Sequence, residues 1–135
     1  MHGVLFLDSE QMGDDFESIR RQLALLCQRK KARTSEWSIR CPTEWQPTTV
    51  IDPQSGSPFT DAGAWEFVAE ILGDDWELES VQLEKPPGST GYVLKIPLGD
   101  RQLYVKLQLG AGKVIGRSFH YSTETNRSSK EADNE

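Results

Sequence analysis

Two hydrophobic periods divide the chain. Phe16, Ile19, Leu23, Leu26 and Cys27 recur at three- and four-residue steps, the spacing that lines one face of a helix. Asp14 and Glu17 stand three apart at the start of that run, as in a capping box. The pattern predicts a helix over 15–30, with Arg29, Lys30 and Lys31 at the end where cations suit the helix dipole. A short apolar run, Val4 to Leu7, predicts a strand ahead of it. Ala64, Trp65, Val68, Ile71 and Leu72 share a second helical face. Thr60 supplies an N-cap and Gly73 a stop, so a second helix is predicted over 61–72.

After Gly73 the period falls to two. Val81 and Leu83 alternate with polar neighbours, and Lys85-Pro86-Pro87-Gly88 reads as a rigid turn. Tyr92, Leu94, Ile96 and Leu98 keep to even positions, while Leu103, Val105, Leu107 and Leu109 keep to odd ones. Gly99-Asp100 between them is a hairpin signal. Gly110-Ala111-Gly112 leads to a last strand ending near Tyr121.

Between the helices, residues 32–58 carry Pro42, Pro47, Pro53 and Pro58 and read as irregular, pinned to the core by Trp37 and Trp45. From Thr123 the chain is polar and reads as disordered. The expected class is α+β: N-terminal helices packed on a four-stranded antiparallel meander. The chain divides into 1–58, a helix with a Pro-rich segment; 59–122, a helix with the sheet; and the tail 123–135.

Side chains alternate across a strand, so the odd set of Gln102–Leu109 faces the core and Gln102, Tyr104, Lys106 and Gln108 line the outside. Ile115 and Phe119 are the large apolar residues of the next strand. Matching apolar to apolar calls for a three-residue loop, Gly110–Gly112, which sets Tyr104 opposite Ser118, Lys106 opposite Gly116 and Gln102 opposite His120. Tyr104, Lys106, Ser118 and His120 then share one surface. Arg117 falls on the other face unless Gly116 forms a bulge. The same alternation is also what the solvent side of an ordinary amphipathic sheet shows.

Composition narrows the classes. A chain of 135 residues is the size of one domain. No apolar run approaches the ~20 residues of a membrane helix, and the N-terminus has no secretory pattern. Cys27 and Cys41 lack metal spacing and are too few for a disulfide framework. A reduced, cytoplasmic protein is expected. The net charge of -6 is distributed in blocks: residues 41–80 hold nine acids and no Lys or Arg, whereas 19–40 hold seven basic residues and 81–120 hold six. Either basic block offers an anion site, or the blocks neutralise each other. Gly110-Ala111-Gly112-Lys113 lacks the full phosphate-loop pattern. Only two histidines exist, His2 and His120, so neither metal nor cofactor is expected.

The stretch RQLYVKLQLGAGKVIGRSFHYS resembles the C-terminal half of the MqsR (motility quorum-sensing regulator) toxins, within the wider RelE-like group. It has a Tyr-x-Lys strand, Tyr104-Val105-Lys106, a short turn, and a closing strand with Ser118-Phe119 followed by a basic residue, His120. The resemblance covers roughly residues 59–121. It implies a RelE/MqsR-like fold and the toxin of a type II toxin–antitoxin system. Such a toxin is a cytoplasmic, metal-independent mRNA endoribonuclease acting on single-stranded RNA or ribosome-bound mRNA and silenced by a cognate antitoxin protein. The family's strand tyrosine falls on Tyr104, its lysine on Lys106, and its terminal basic residue, usually lysine, on His120.

Metal-free cleavage uses the neighbouring 2′-hydroxyl and needs a base, an acid and cations for the developing phosphorane charge. His120 is the expected acid or base, Tyr104 orients the hydroxyl or donates to the leaving oxygen, and Lys106 with Arg117 holds the phosphate. Ser118, Gln108, Lys95 and Lys85 are further candidates for RNA contact. Two other readings stand beside this one. One is a non-catalytic module that binds a partner protein through its sheet face or edge. The other is an RNA binder using Arg29, Lys30, Lys31 and Arg33.

Overall fold

The computed structural model describes residues 7–35, 43–83, 88–110 and 112–122, with side chains from Phe16 onward. Helix α1 spans Leu7–Cys27. It begins well before the expected residue 15 and takes in Leu7, the end of the expected strand; residues 4–6 lie outside the described residues. Leu23, Leu26 and Cys27 are buried and Ile19 packs against them, while Phe16 is largely exposed. The helix ends at Cys27 rather than at 30, and a 3-10 turn follows at Lys30–Ala32. The cation that serves its C-terminus is Arg33, whose Nη1 donates to the Cys27 carbonyl at 2.7 Å, and not the expected Arg29–Lys31 cluster.

Helix α2 spans Asp61–Leu72, as its caps predict: Thr60 Oγ1 accepts from the Gly63 amide at 2.9 Å. At its far end Arg20 of α1 donates to the carbonyls of Leu72, Asp74 and Trp76 at 3.2, 3.1 and 2.6 Å. One guanidinium thus satisfies carbonyls at and beyond the end of α2 and ties the two helices together.

Strands β3 (Glu79–Gln82), β4 (Thr90–Leu98), β5 (Arg101–Gly110) and β6 (Lys113–Tyr121) form the antiparallel meander. The β4–β5 hairpin turns on Gly99-Asp100, with Gly99 at φ +66, a conformation that favours glycine. The segment expected to be irregular adds two short strands. Strands β1 (Arg33–Thr34) and β2 (Glu44–Trp45) both run parallel along the free edge of β6, making six strands in all. The fold is therefore α+β, two helices on a mixed, mostly antiparallel sheet. The helices cover one face. Leu23 and Leu26 of α1, Trp65, Val68 and Leu72 of α2, and Leu94, Leu103, Val105, Leu107 and Phe119 of the sheet belong to one core. No helix among the described residues is long and apolar enough to cross a membrane.

Trp45 anchors β2, as its sequence position suggested; Trp37 lies outside the described residues. The Trp45 ring stacks on Trp65 at 4.3 Å between centroids, lies 5.2 Å from Phe119, and donates through Nε1 to Asp61 at 2.9 Å. It rests on the bare backbone of Gly116, where a β-carbon would fall 2.8 Å from Cδ2 and closer still to two other ring atoms.

The β5–β6 register differs from the expected one. Gly110 pairs with Lys113, one residue tighter than a three-residue loop. That turn alone would pair odd with even positions. A bulge corrects it: Leu107 pairs with Gly116 but Lys106 with Ser118, leaving Arg117 as the extra residue. Tyr104 consequently faces His120 rather than Ser118, and Lys106 faces Ser118 rather than Gly116. Before the bulge Val114 takes the core position, while Ile115, expected there, pairs with Gln108 outside the main core.

Replacing Gly116 by alanine tests the Trp45 contact. Overpacking of this kind costs about 1–3 kcal/mol, so Gly116→Ala should lower the urea midpoint by a corresponding amount. An unchanged midpoint would show that Trp45 does not need the bare backbone.

Candidate functional site

The helices leave the second face of the sheet uncovered by their own packing, and two rows of side chains cross it. Lys95, Tyr104 and His120 are direct neighbours on β4, β5 and β6. One rung away, Val93, Lys106 and Ser118 are neighbours, and β2 extends that rung by pairing Glu44 with Ser118. Around the polar members of these rows lies an open cleft of about 310 Å³ bounded by Glu44, Lys95, Tyr104, Lys106, Ser118, His120 and Ser122.

The cleft brings together Tyr104, Lys106, Ser118, His120 and Lys95 of the residues expected from sequence. Arg117 and Gln108 are placed differently. The bulge brings Arg117 to Gln108, and its Nη1 donates to Gln108 Oε1 at 2.6 Å. Gln108, expected as an outward donor, is buried and engaged in that bond rather than lining the cleft. Lys85 lies outside the described residues. Glu44 and Ser122 were not expected. Glu44 belongs to a two-residue strand too short to show any alternation.

The imidazole of His120 is oriented by the chain itself. Nδ1 lies 2.9 Å from the carbonyl of Tyr121. A carbonyl only accepts, so Nδ1 carries hydrogen and a neutral ring keeps its lone pair on Nε2. Nε2 is buried and has no hydrogen-bond partner. Glu44 Oε1 lies 3.3 Å away, within ion-pair reach but outside hydrogen-bonding geometry. A buried polar atom left unpaired costs about 1–3 kcal/mol, and in a folded protein it needs an explanation.

The rings of Tyr104 and His120 lie 5.7 Å apart, and Lys106 Nζ is 6.0 Å from the Tyr104 ring centre. Burial, with smaller contributions from Glu79 and Glu44, pushes the Tyr104 phenol above its ordinary range. It therefore remains a neutral proton donor at physiological pH. Lys95 makes a long ion pair with Glu79 at 3.9 Å, both partners well exposed, a contact worth little in water.

Other chemistry is weaker. The thiol of Cys27 is buried in the core and burial pushes it up to about 12, so it is not a nucleophile. Among the described residues no three His, Cys, Asp or Glu side chains gather as a metal site requires. Of the basic cluster, Arg29, Lys30 and Lys31 are exposed, while Arg33 is committed to the end of α1 and lies 5.9 Å from the Trp65 ring centre.

Comparison with protein-family models, with curated proteins and with solved structures finds no match to the chain.

The raised Tyr104 phenol has a sign that can be checked. Its folded form holds the proton more tightly than the unfolded chain does. Stability from this source is therefore complete below the unfolded value of about 10 and is lost as pH rises through the higher folded value. The phenolate absorbance missing from Tyr104→Phe should appear only above pH ~10. Its appearance at lower pH would remove Tyr104 as a neutral donor.

Proposed function

We propose that this cleft binds single-stranded RNA and cleaves it without a metal ion, and that the chain acts as the toxin of a type II toxin–antitoxin pair. The observation that supports the reading is Nε2 of His120: buried, unpaired, with its lone pair available, and in one cleft with a neutral phenol and two ammonium groups.

The chemistry follows from those atoms. Once the exposed Glu44 side chain turns aside, Nε2 takes the proton of a ribose 2′-hydroxyl, and the freed oxygen bonds to the adjacent phosphorus. The bond from phosphorus to the 5′-oxygen breaks, and the Tyr104 hydroxyl gives that oxygen a proton. The products are a 2′,3′-cyclic phosphate and a 5′-hydroxyl end; water then returns a proton to Tyr104 and removes one from His120. Lys106 and Lys95 lie against the non-bridging oxygens and offset the charge that grows on them. Ser118, almost fully buried between Lys106 and Glu44, presents a hydroxyl to the same phosphate. An antitoxin would silence the protein by covering this cleft.

Purified protein should cut a single-stranded oligonucleotide in EDTA, leaving cyclic phosphate ends. His120→Ala should slow cleavage by about 10²-fold or more, the usual worth of a positioned acid or base. Equal cleavage by the variant, or none by the parent chain, defeats the proposal. With two lysines on the phosphates, the logarithm of binding should fall against the logarithm of salt with a slope of about −1.4. A much steeper slope would move binding to another surface, such as Arg29–Lys31.

A further inference from the structure

We infer that Glu44 is the charge partner of His120, so that proton transfer in the cleft is performed by a pair drawn from two distant parts of the chain. The inference rests on the cleavage reading above and adds to it a residue that acts through the imidazole.

Three observations carry it. First, the carboxylate is delivered by a fixed backbone. Trp45 is held by the stack on Trp65, the bond to Asp61 and the parallel pairing with Phe119. Adjacent strand residues point to opposite faces, so an inward Trp45 obliges Glu44 to face the cleft. Second, Oε1 stands 3.3 Å from Nε2, the ring nitrogen with no other partner. The Glu44 side chain is 69% exposed, free to turn aside for the substrate while its backbone stays near the ring. Third, the charges facing the ring need it. Lys95 from β4 and Lys106 from β5 both oppose a positive imidazole, and Tyr104 is neutral. Glu44 from β2 is the carboxylate within ion-pair reach of the ring.

The role follows from the proton's path. When the 2′-hydroxyl proton moves to Nε2, that N–H points at the substrate oxygen and the ring becomes a cation, whose charge the nearby Glu44 carboxylate offsets through space. Glu44 therefore stabilises the state formed during attack more than the resting one, which raises turnover rather than binding. On binding, the same carboxylate repels an arriving phosphate. Glu44 is a positioning residue, and it separates turnover from affinity.

The test uses Glu44→Gln, which keeps the shape and removes the charge, and Glu44→Asp, which keeps the charge. The His120 ring signal is followed by NMR against pH and assigned with His120→Gln, which distinguishes it from His2. In Glu44→Gln the midpoint should fall below the parent's, and in Glu44→Asp it should lie between the two. In EDTA, kcat of Glu44→Gln should drop about fivefold with no rise in KM, a size set by the exposure of the carboxylate. An unmoved midpoint overturns the pairing even if the parent chain cleaves RNA. A moved midpoint with an unchanged kcat overturns the catalytic part of the inference. A moved midpoint in a chain that cuts no RNA leaves the pair intact and defeats the nuclease reading instead. Matching thermal midpoints of the three proteins show that folding is not the cause.

Discussion

Phe119 must go inside, and the site depends on that requirement. A tight β5–β6 turn pairs Gly110 with Lys113 and, continued without correction, would set Phe119 across from Tyr104. That register would put a large aromatic ring in water and send Ser118 and His120 toward the helices. Burying a side chain of this size is worth about 1.5–3 kcal/mol, and burying an unpaired imidazole costs more on top. The single extra residue at Arg117 removes the conflict, because one residue of slip reverses every side chain beyond it. Phe119 then reaches full burial against Phe59 and Trp45, and His120 lands beside Tyr104. The chemical face is thus a consequence of core packing on the other side of the sheet.

Strand β2 repeats that logic in two residues. Trp45 joins the core and Glu44 the cleft for the same reason, the alternation of a strand. The anchor is specific to its seat, since the ring needs Gly116, and Gly116 adjoins the bulged residue. The correction that orients His120 and the bare backbone that admits Trp45 therefore lie at neighbouring positions. Any shift of the bulge along β6 would disturb both. The N-terminal half is not an accessory to the sheet in this respect: α1 contributes to the one core and β2 supplies a wall of the cleft.

Sequence showed those parts of this fold that repeat. Helix α2 carried a cap, a stop and a full apolar face. Strands β4 and β5 each carried four alternating apolar residues and a glycine turn between them. The shared surface of Tyr104, Lys106, Ser118 and His120 followed from that alternation, because any register that buries Phe119 keeps Ser118 and His120 outside. The exact pairs did not follow, because a tight turn plus a bulge and a longer turn without one satisfy the same parity at Phe119. Among the apolar residues they differ at Val114 and Ile115, two branched side chains that either register can bury. Strands β1 and β2 left no pattern, since two residues cannot show a period. Gln108 looked like surface by alternation, but the observed register sets Ile115 opposite it and the bulge brings Arg117 to bond it. The early start of α1 ran through residues with no apolar face to announce it.

The mixed charge of the cleft bears on the proposed binding of an anion, which would be exchanged rather than stored. A chain of net charge -6 repels RNA at long range, but at physiological salt that field fades over about 8 Å. Inside that distance the cleft offers Lys95 and Lys106, each already near a carboxylate or an aromatic face. The Lys95–Glu79 pair is long and open to water, so little is lost when a phosphate takes the place of the carboxylate. Glu44 is different, because its backbone is fixed by Trp45 and the nitrogen it faces has no other partner. On the proposed reading, a phosphate would displace the weak Lys95–Glu79 pair while Glu44, on its fixed backbone, stays near the imidazole. On that reading, one small face would hold an anion and keep a carboxylate next to the ring proposed to move the proton.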